Sequence, residues 1–93
     1  MYIDMDPKLT AALGAVVQEL EVARKAFPAM RSNHEGYAIL LEEVEELWAD
    51  IKANKDPRAE AIQVAAMAIR FLIERTDAPK RGEFLDEGED IEG

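Results

Sequence analysis

The chain has 93 residues, 48% hydrophobic and 33% charged, and its 20 acids against 11 bases give a formal charge of -9. That length predicts one small domain with a modest core of its own, and the negative balance excludes a general nucleic-acid binder held by phosphate contacts. The absence of cysteine excludes disulfides and thiolate zinc sites. The N-terminal "MYIDMDPKLT" has neither the basic start nor the apolar run of a signal peptide, and no apolar stretch approaches bilayer length. The expectation is a cytoplasmic protein that meets no membrane.

Three helices follow in chain order. Asp6 and Pro7 form a cap followed by proline at the first helical position, and Leu9, Leu13, Val16, Leu20, Ala23 and Phe27 then recur at steps of four and three up to Pro28. Ser32 and Glu35 have the spacing of a capping box. They open a second helix whose apolar stripe is Tyr37, Leu40, Leu41, Val44, Leu47, Trp48 and Ile51, ended by "ANKDP". Asp56 and Pro57 repeat the cap-plus-proline signal and launch a third helix that runs to about Arg75. It is apolar on two sides, with Ile62, Ala65, Ile69, Leu72 and Ile73 on one and Val64, Met67 and Phe71 on the other. A helix apolar nearly all round is buried on several sides, which a three-helix monomer does not easily provide.

The reading is therefore all-α: a bundle of three main helices per chain, completed by oligomerisation into a four-helix-type core, as a homodimer or homotetramer. Residues 1–78 form the single domain and residues 79–93 an acidic, disordered tail. Residues 82–93 alone hold six acids and no base, which leaves residues 1–81 with 14 acids and 11 bases, a balance of -3.

The stretch "LLEEVEELWADI" crowds Glu42, Glu43, Glu45 and Glu46 into five residues, although like charges three and four apart on a helix repel. Glu42, Glu43 and Glu46 share a face turned away from Val44 and Trp48, while Glu45 points elsewhere. That face is either a plain solvated one or the place for a cation. On the third helix, Glu60 and Gln63 begin the side that continues into Met67 and Phe71. Carboxylates from two neighbouring helices, converging at the edge of a bundle core, suit a hard cation such as Mg²⁺ or Mn²⁺.

At these residues the sequence resembles the MazG-like all-α nucleoside triphosphate pyrophosphohydrolases, a group related to dimeric dUTPases. "EEVEEL" (42–47) looks like that family's EExxE motif, and "EAIQVA" (60–65) falls where its ExxD motif follows on the next helix. The resemblance covers roughly residues 34–75. It implies Glu43, Glu46 and Glu60 as metal ligands, with Gln63 at the last ligand position, and Glu42 as the carboxylate that orients or deprotonates the attacking water. It also implies cleavage of a nucleoside triphosphate between the α and β phosphorus atoms, giving a monophosphate and pyrophosphate. Gln63 departs from the motif, because its amide oxygen ligates without bringing a charge.

Lys52, Lys55 and Arg58 surround the connection between the motif helices and are candidates for meeting phosphates, or are ordinary helix-end bases. His34, the only histidine, approaches a base or phosphate or is simply exposed. Tyr37 and Trp48 read as core or subunit-interface packing rather than base stacking. There is no Gly-rich phosphate loop, nucleophile triad or His-rich zinc pattern. Two further readings stand beside the hydrolase: a catalytically degenerate helical module for assembly or partner binding, and an acidic mimic of nucleic acid. The second fits poorly, because most of the net charge lies in the tail.

Overall fold

The structure, a computed structural model, describes residues 6–77; the expected acidic tail lies outside the described residues. The described residues form three helices and no strand: α1 (Pro7–Ala26), α2 (Asn33–Lys52) and α3 (Arg58–Arg75). No helix among them is long and apolar enough to cross a membrane.

The boundaries follow from local chemistry. Asp6 Oδ1 accepts from the Leu9 amide at 2.7 Å, which satisfies one of the orphan donors of α1. α1 stops at Ala26 because Phe27 precedes Pro28, and the proline ring drives the preceding residue to extended backbone (φ -126°, ψ 148°). Ser32 Oγ accepts from the Glu35 amide at 3.0 Å, the first half of a capping box. The return half is displaced by one residue: Glu35 Oε1 accepts from the Arg31 amide at 2.6 Å.

α2 ends in a Schellman turn, with the Lys55 amide donating to Asp50 O and the Asn54 amide to Ile51 O. Asn54 takes the left-handed position (φ 59°), which asparagine tolerates better than most residues. α3 starts one residue later than the cap-plus-proline pattern suggests. Pro57 is itself the cap, and Asp56 Oδ1 still supplies an acceptor, to the Arg58 amide at 3.0 Å.

α3 is the central element, and α1 and α2 each pack on it rather than on one another. Gly36 meets Phe71 at one end of α2, and Asp50 lies beside Glu60 at the other, so α2 and α3 run antiparallel. Val16 shares a small cavity with Ala61 and Ile62, and Phe27 faces Arg70, so α1 and α3 run parallel. The core is Leu20 and Ala23 from α1 with Ala66 and Met67 from α3, flanked by Val16, Ile39, Leu40 and Ile69. Gly36 permits the close approach of α2 and α3: a Cβ there would sit 2.6 Å from the Phe71 ring and 2.9 Å from Met30 Sδ. Gly36→Ala is accordingly expected to destabilise by about 1–2 kcal/mol, the overpacking cost exceeding the gain in helix propensity. Urea unfolding checks this; an unchanged or raised midpoint would mean the contact is loose.

The α2 stripe is divided. Leu40 and Leu47 turn toward α3 and are partly buried, whereas Tyr37 (61% exposed), Leu41, Val44, Trp48 (55%) and Ile51 remain exposed. Helix α3 takes the border between the apolar stripe and the acidic face rather than the centre of the stripe. That choice leaves Glu43 partly buried at a helix–helix contact.

Candidate functional site

α2 presents Gly36, Leu40, Glu43, Leu47 and Asp50 to α3 at steps of three and four, all buried or partly buried. Antiparallel pairing brings Glu60, in the first turn of α3, opposite the last turns of α2. The carboxylate oxygens of Glu43, Glu46 and Glu60 converge, with one atom from each lying within 4.8 Å of the others. Glu43 and Glu60 are partly buried and Glu46 is exposed.

The electrostatics are repulsive throughout. Burial pushes the Glu43 carboxyl above its ordinary range, and the charges of Glu46, Glu60 and Glu42 push it further. Glu60 is raised by burial and then by Glu46 and Asp50. The two ion pairs among the described residues lie elsewhere, at Arg31–Glu35 and Arg70–Glu74. Three carboxylate oxygens within a few ångströms and without a basic partner are donors of the type that suits a hard divalent cation.

Glu43 also belongs to a second feature. α1 and α2 stand apart from one another over α3 and leave a cleft of about 620 Å³, closed at one end by the α1–α2 connection. Glu19, Glu42, Glu43 and Gln63 line one end, and Arg31, Glu35 and Arg70 line the other. Between them the walls are apolar: Ala23, Phe27 and Pro28 on one side, Ile39 opposite, and Met67 below. An apolar cleft with a few convergent polar groups is the common form of a small-molecule site.

Comparison with protein-family models, with curated proteins and with solved structures gives no match to this chain. Geometry and residue chemistry therefore carry the reading.

The positions expected from sequence divide into two groups. Glu43, Glu46 and Glu60 meet one another, and Glu42 and Gln63 share the cleft with Glu43. Lys52, Lys55, Arg58 and His34 line no part of the cleft. Lys52 lies over the exposed Trp48 ring, 5.5 Å from its centroid. Lys55 is exposed in the α2–α3 turn, and His34 is exposed in the first turn of α2. Arg58 borders the smaller cavity between α1 and the start of α3.

Sequence reasoning missed the basic end of the cleft. Arg70 is only 2% exposed, with its Nη2 donating to Pro28 O at 2.6 Å and its Nε to Glu74 at 3.1 Å. An arginine in the middle of an apolar helix was the available signal, since a buried charge needs partners and those partners have a purpose.

Proposed function

We propose that this chain is a Mg²⁺-dependent nucleoside triphosphate pyrophosphohydrolase, with Mn²⁺ able to replace Mg²⁺, acting on free nucleotides in the cytoplasm. The observation that carries the reading is the convergence of Glu43, Glu46 and Glu60 from two helices, with Glu43 also lining a nucleotide-sized cleft. The motif resemblance at residues 42–47 and 60–65, which contain these three glutamates, points the same way.

Glu43, Glu46 and Glu60 would hold the cation, with the Gln63 amide oxygen beside Glu43 as a neutral fourth donor. A bound divalent cation supplies neutralisation of phosphate charge and lowers the pKa of water. Glu42, an exposed carboxylate on the cleft wall next to Glu43, accepts the proton of the attacking water. Apolar residues between α1 and α2 take the base and sugar, which keeps bulk water from that part of the substrate. Cleavage between the α and β phosphorus atoms releases pyrophosphate and leaves the monophosphate. The assay is pyrophosphate release from a panel of nucleoside triphosphates with Mg²⁺ or Mn²⁺. No release across the panel with either metal would sink the hydrolase.

Gln63 favours a second reading, in which the fold is kept for assembly after catalysis was lost. It predicts that neither metal nor nucleotide binds saturably in calorimetry.

The working form is a homodimer or homotetramer. Tyr37, Leu41, Val44, Trp48 and Ile51 recur at steps of four and three on the side of α2 opposite the cleft, and all are exposed. Ala61, Ala68 and the exposed Leu72 extend the same side onto α3. Joining two α2–α3 pairs through this face makes a four-helix core and covers these exposed apolar side chains. Trp48→Glu is expected to shift the mass seen by light scattering from a dimer or tetramer to a monomer. A wild-type monomer at high micromolar concentration would overturn the assembly.

A further inference from the structure

Arg70 is a buried cation whose donors are incompletely used. A guanidinium carries five N–H donors and cannot be neutralised at any ordinary pH. Nε is committed to Glu74 Oε2 and Nη2 to Pro28 O. Nη1 meets nothing better than the thioether sulfur of Met67, at 3.9 Å, a weak acceptor. Arg70 and Met67 both line the cleft. So does Phe27, whose ring centroid lies 6.0 Å from the guanidinium carbon. A charged group that is 2% exposed and keeps an underused donor at a cavity is expected to find its missing acceptor on what fills the cavity.

Position along α3 identifies that acceptor. Gln63 and Arg70 are seven residues apart on one face, about 10 Å along the axis, which is close to the reach of a nucleoside from its phosphate to the far edge of its base. With the triphosphate at the carboxylate end, the distal edge of the base arrives at Arg70. We propose that Arg70 is a specificity-determining residue that donates through Nη1 to a ring carbonyl oxygen of the base. The preferred substrates are then 6-keto purines and 4-keto pyrimidines. Adenine and cytosine offer an amino donor at that edge, and two donors facing one another in a desolvated site are unfavourable. This rests on the cleft being the nucleotide site but not on hydrolysis.

The test is equilibrium binding of nucleoside monophosphates, which offer no anhydride bond to cut, to the full chain with saturating Mg²⁺, which offsets the repulsion between the phosphate and the carboxylate cluster. Inosine and adenosine monophosphates differ at the 6 position and in the proton that the keto form carries on N1, and uridine and cytidine monophosphates differ in the same way at the 4 position and N3. The keto member of each pair is expected to bind at least tenfold more tightly, about 1.4 kcal/mol. Arg70→Met should bring both ratios close to one. Arg70→Lys, which retains charge but loses the planar fork, should leave an intermediate ratio.

Because Arg70 also supports the fold, side-chain NMR of ¹⁵N-arginine-labelled wild type gives a second readout. The Arg70 guanidinium resonance should move with inosine monophosphate and stay in place with inorganic phosphate. Equal affinities within each pair, no saturable binding by any of the four, or the same NMR shift with phosphate alone would overturn the proposal. A keto preference without pyrophosphate release would instead leave Arg70 in its role and remove only the hydrolase.

Discussion

Glu43→Gln is expected to abolish metal-dependent pyrophosphate release, by about 100-fold or more, since even residues that merely support a metal ligand cost up to that much. The same substitution should not weaken the metal-free protein. Glu43 is held above its ordinary pKa by burial and by three neighbouring carboxylates, so its charged form is disfavoured in the folded state. A carboxyl whose folded pKa is raised destabilises the fold at pH values above that pKa, and the penalty fades as the pH falls through it. Glutamine is neutral throughout, so at neutral pH in EDTA the variant should be as stable as the wild type or better, by up to about 0.5 kcal/mol for a relieved like-charge pair.

Mg²⁺ reverses the order. At ten times its dissociation constant it should add about 1.4 kcal/mol to the wild type through linkage and almost nothing to the variant. Thermal melts of both proteins with EDTA and with Mg²⁺ give all four values. A metal-free variant clearly less stable than wild type would mean that Glu43 makes a favourable contact, and the cation would lose its electrostatic reason.

The three helices were legible in the sequence because each boundary has a local cause: Asp6 before Pro7, Ser32 three before Glu35, Phe27 before Pro28. The acidic face was legible for the same reason, since Glu42, Glu43 and Glu46 are fixed relative to one another by helical periodicity. Meeting Glu60 required more, namely that α2 and α3 pair antiparallel in the register set by Gly36 against Phe71. A short connection allowed that arrangement without dictating it.

What periodicity could not reveal is which edge of a broad apolar stripe a neighbour takes. Leu40 and Leu47 lie on the same stripe as Val44 and Trp48, yet only the first two turn toward α3. The cleft depends on three helices at once, so periodicity could mark Arg70 as a charge within an apolar helix but could not join it to Arg31 at one end of a cavity. Lys52, Lys55 and Arg58 attracted attention through closeness in sequence to the motifs, but none of them lines the cleft, and Lys55 lies in the α2–α3 turn.

Glu74→Ala is expected to cost about 3–5 kcal/mol, the range for removing one partner of a buried ion pair. Glu74 ties two elements together: Oε2 accepts from Arg70 Nε and Oε1 from the Met30 amide at 2.8 Å. Its loss strands the Arg70 charge and leaves a backbone donor in the α1–α2 connection unpaired. For a domain of this size the melting temperature should fall by more than about 12 °C.

The pH dependence has the sign opposite to that of Glu43. Burial alone would raise the Glu74 carboxyl, but the Met30 amide and the Arg70 guanidinium outweigh it and hold the pKa below the ordinary value. The stabilisation is therefore fully present above the unfolded pKa and is lost as the pH falls through the folded one. Urea midpoints followed from neutral pH down through the carboxylate range should decline more steeply in wild type than in Glu74→Ala; parallel declines would overturn the assignment.

Replacing both partners with methionine should recover much of the loss, because an apolar pair incurs no charge-burial cost. If that double variant folds as well as wild type but no longer separates inosine from adenosine monophosphate, stability is not what the buried pair is for. Glu74 would then serve to hold Arg70 in place and aimed, and the ligand would be the reason a helix core contains an arginine.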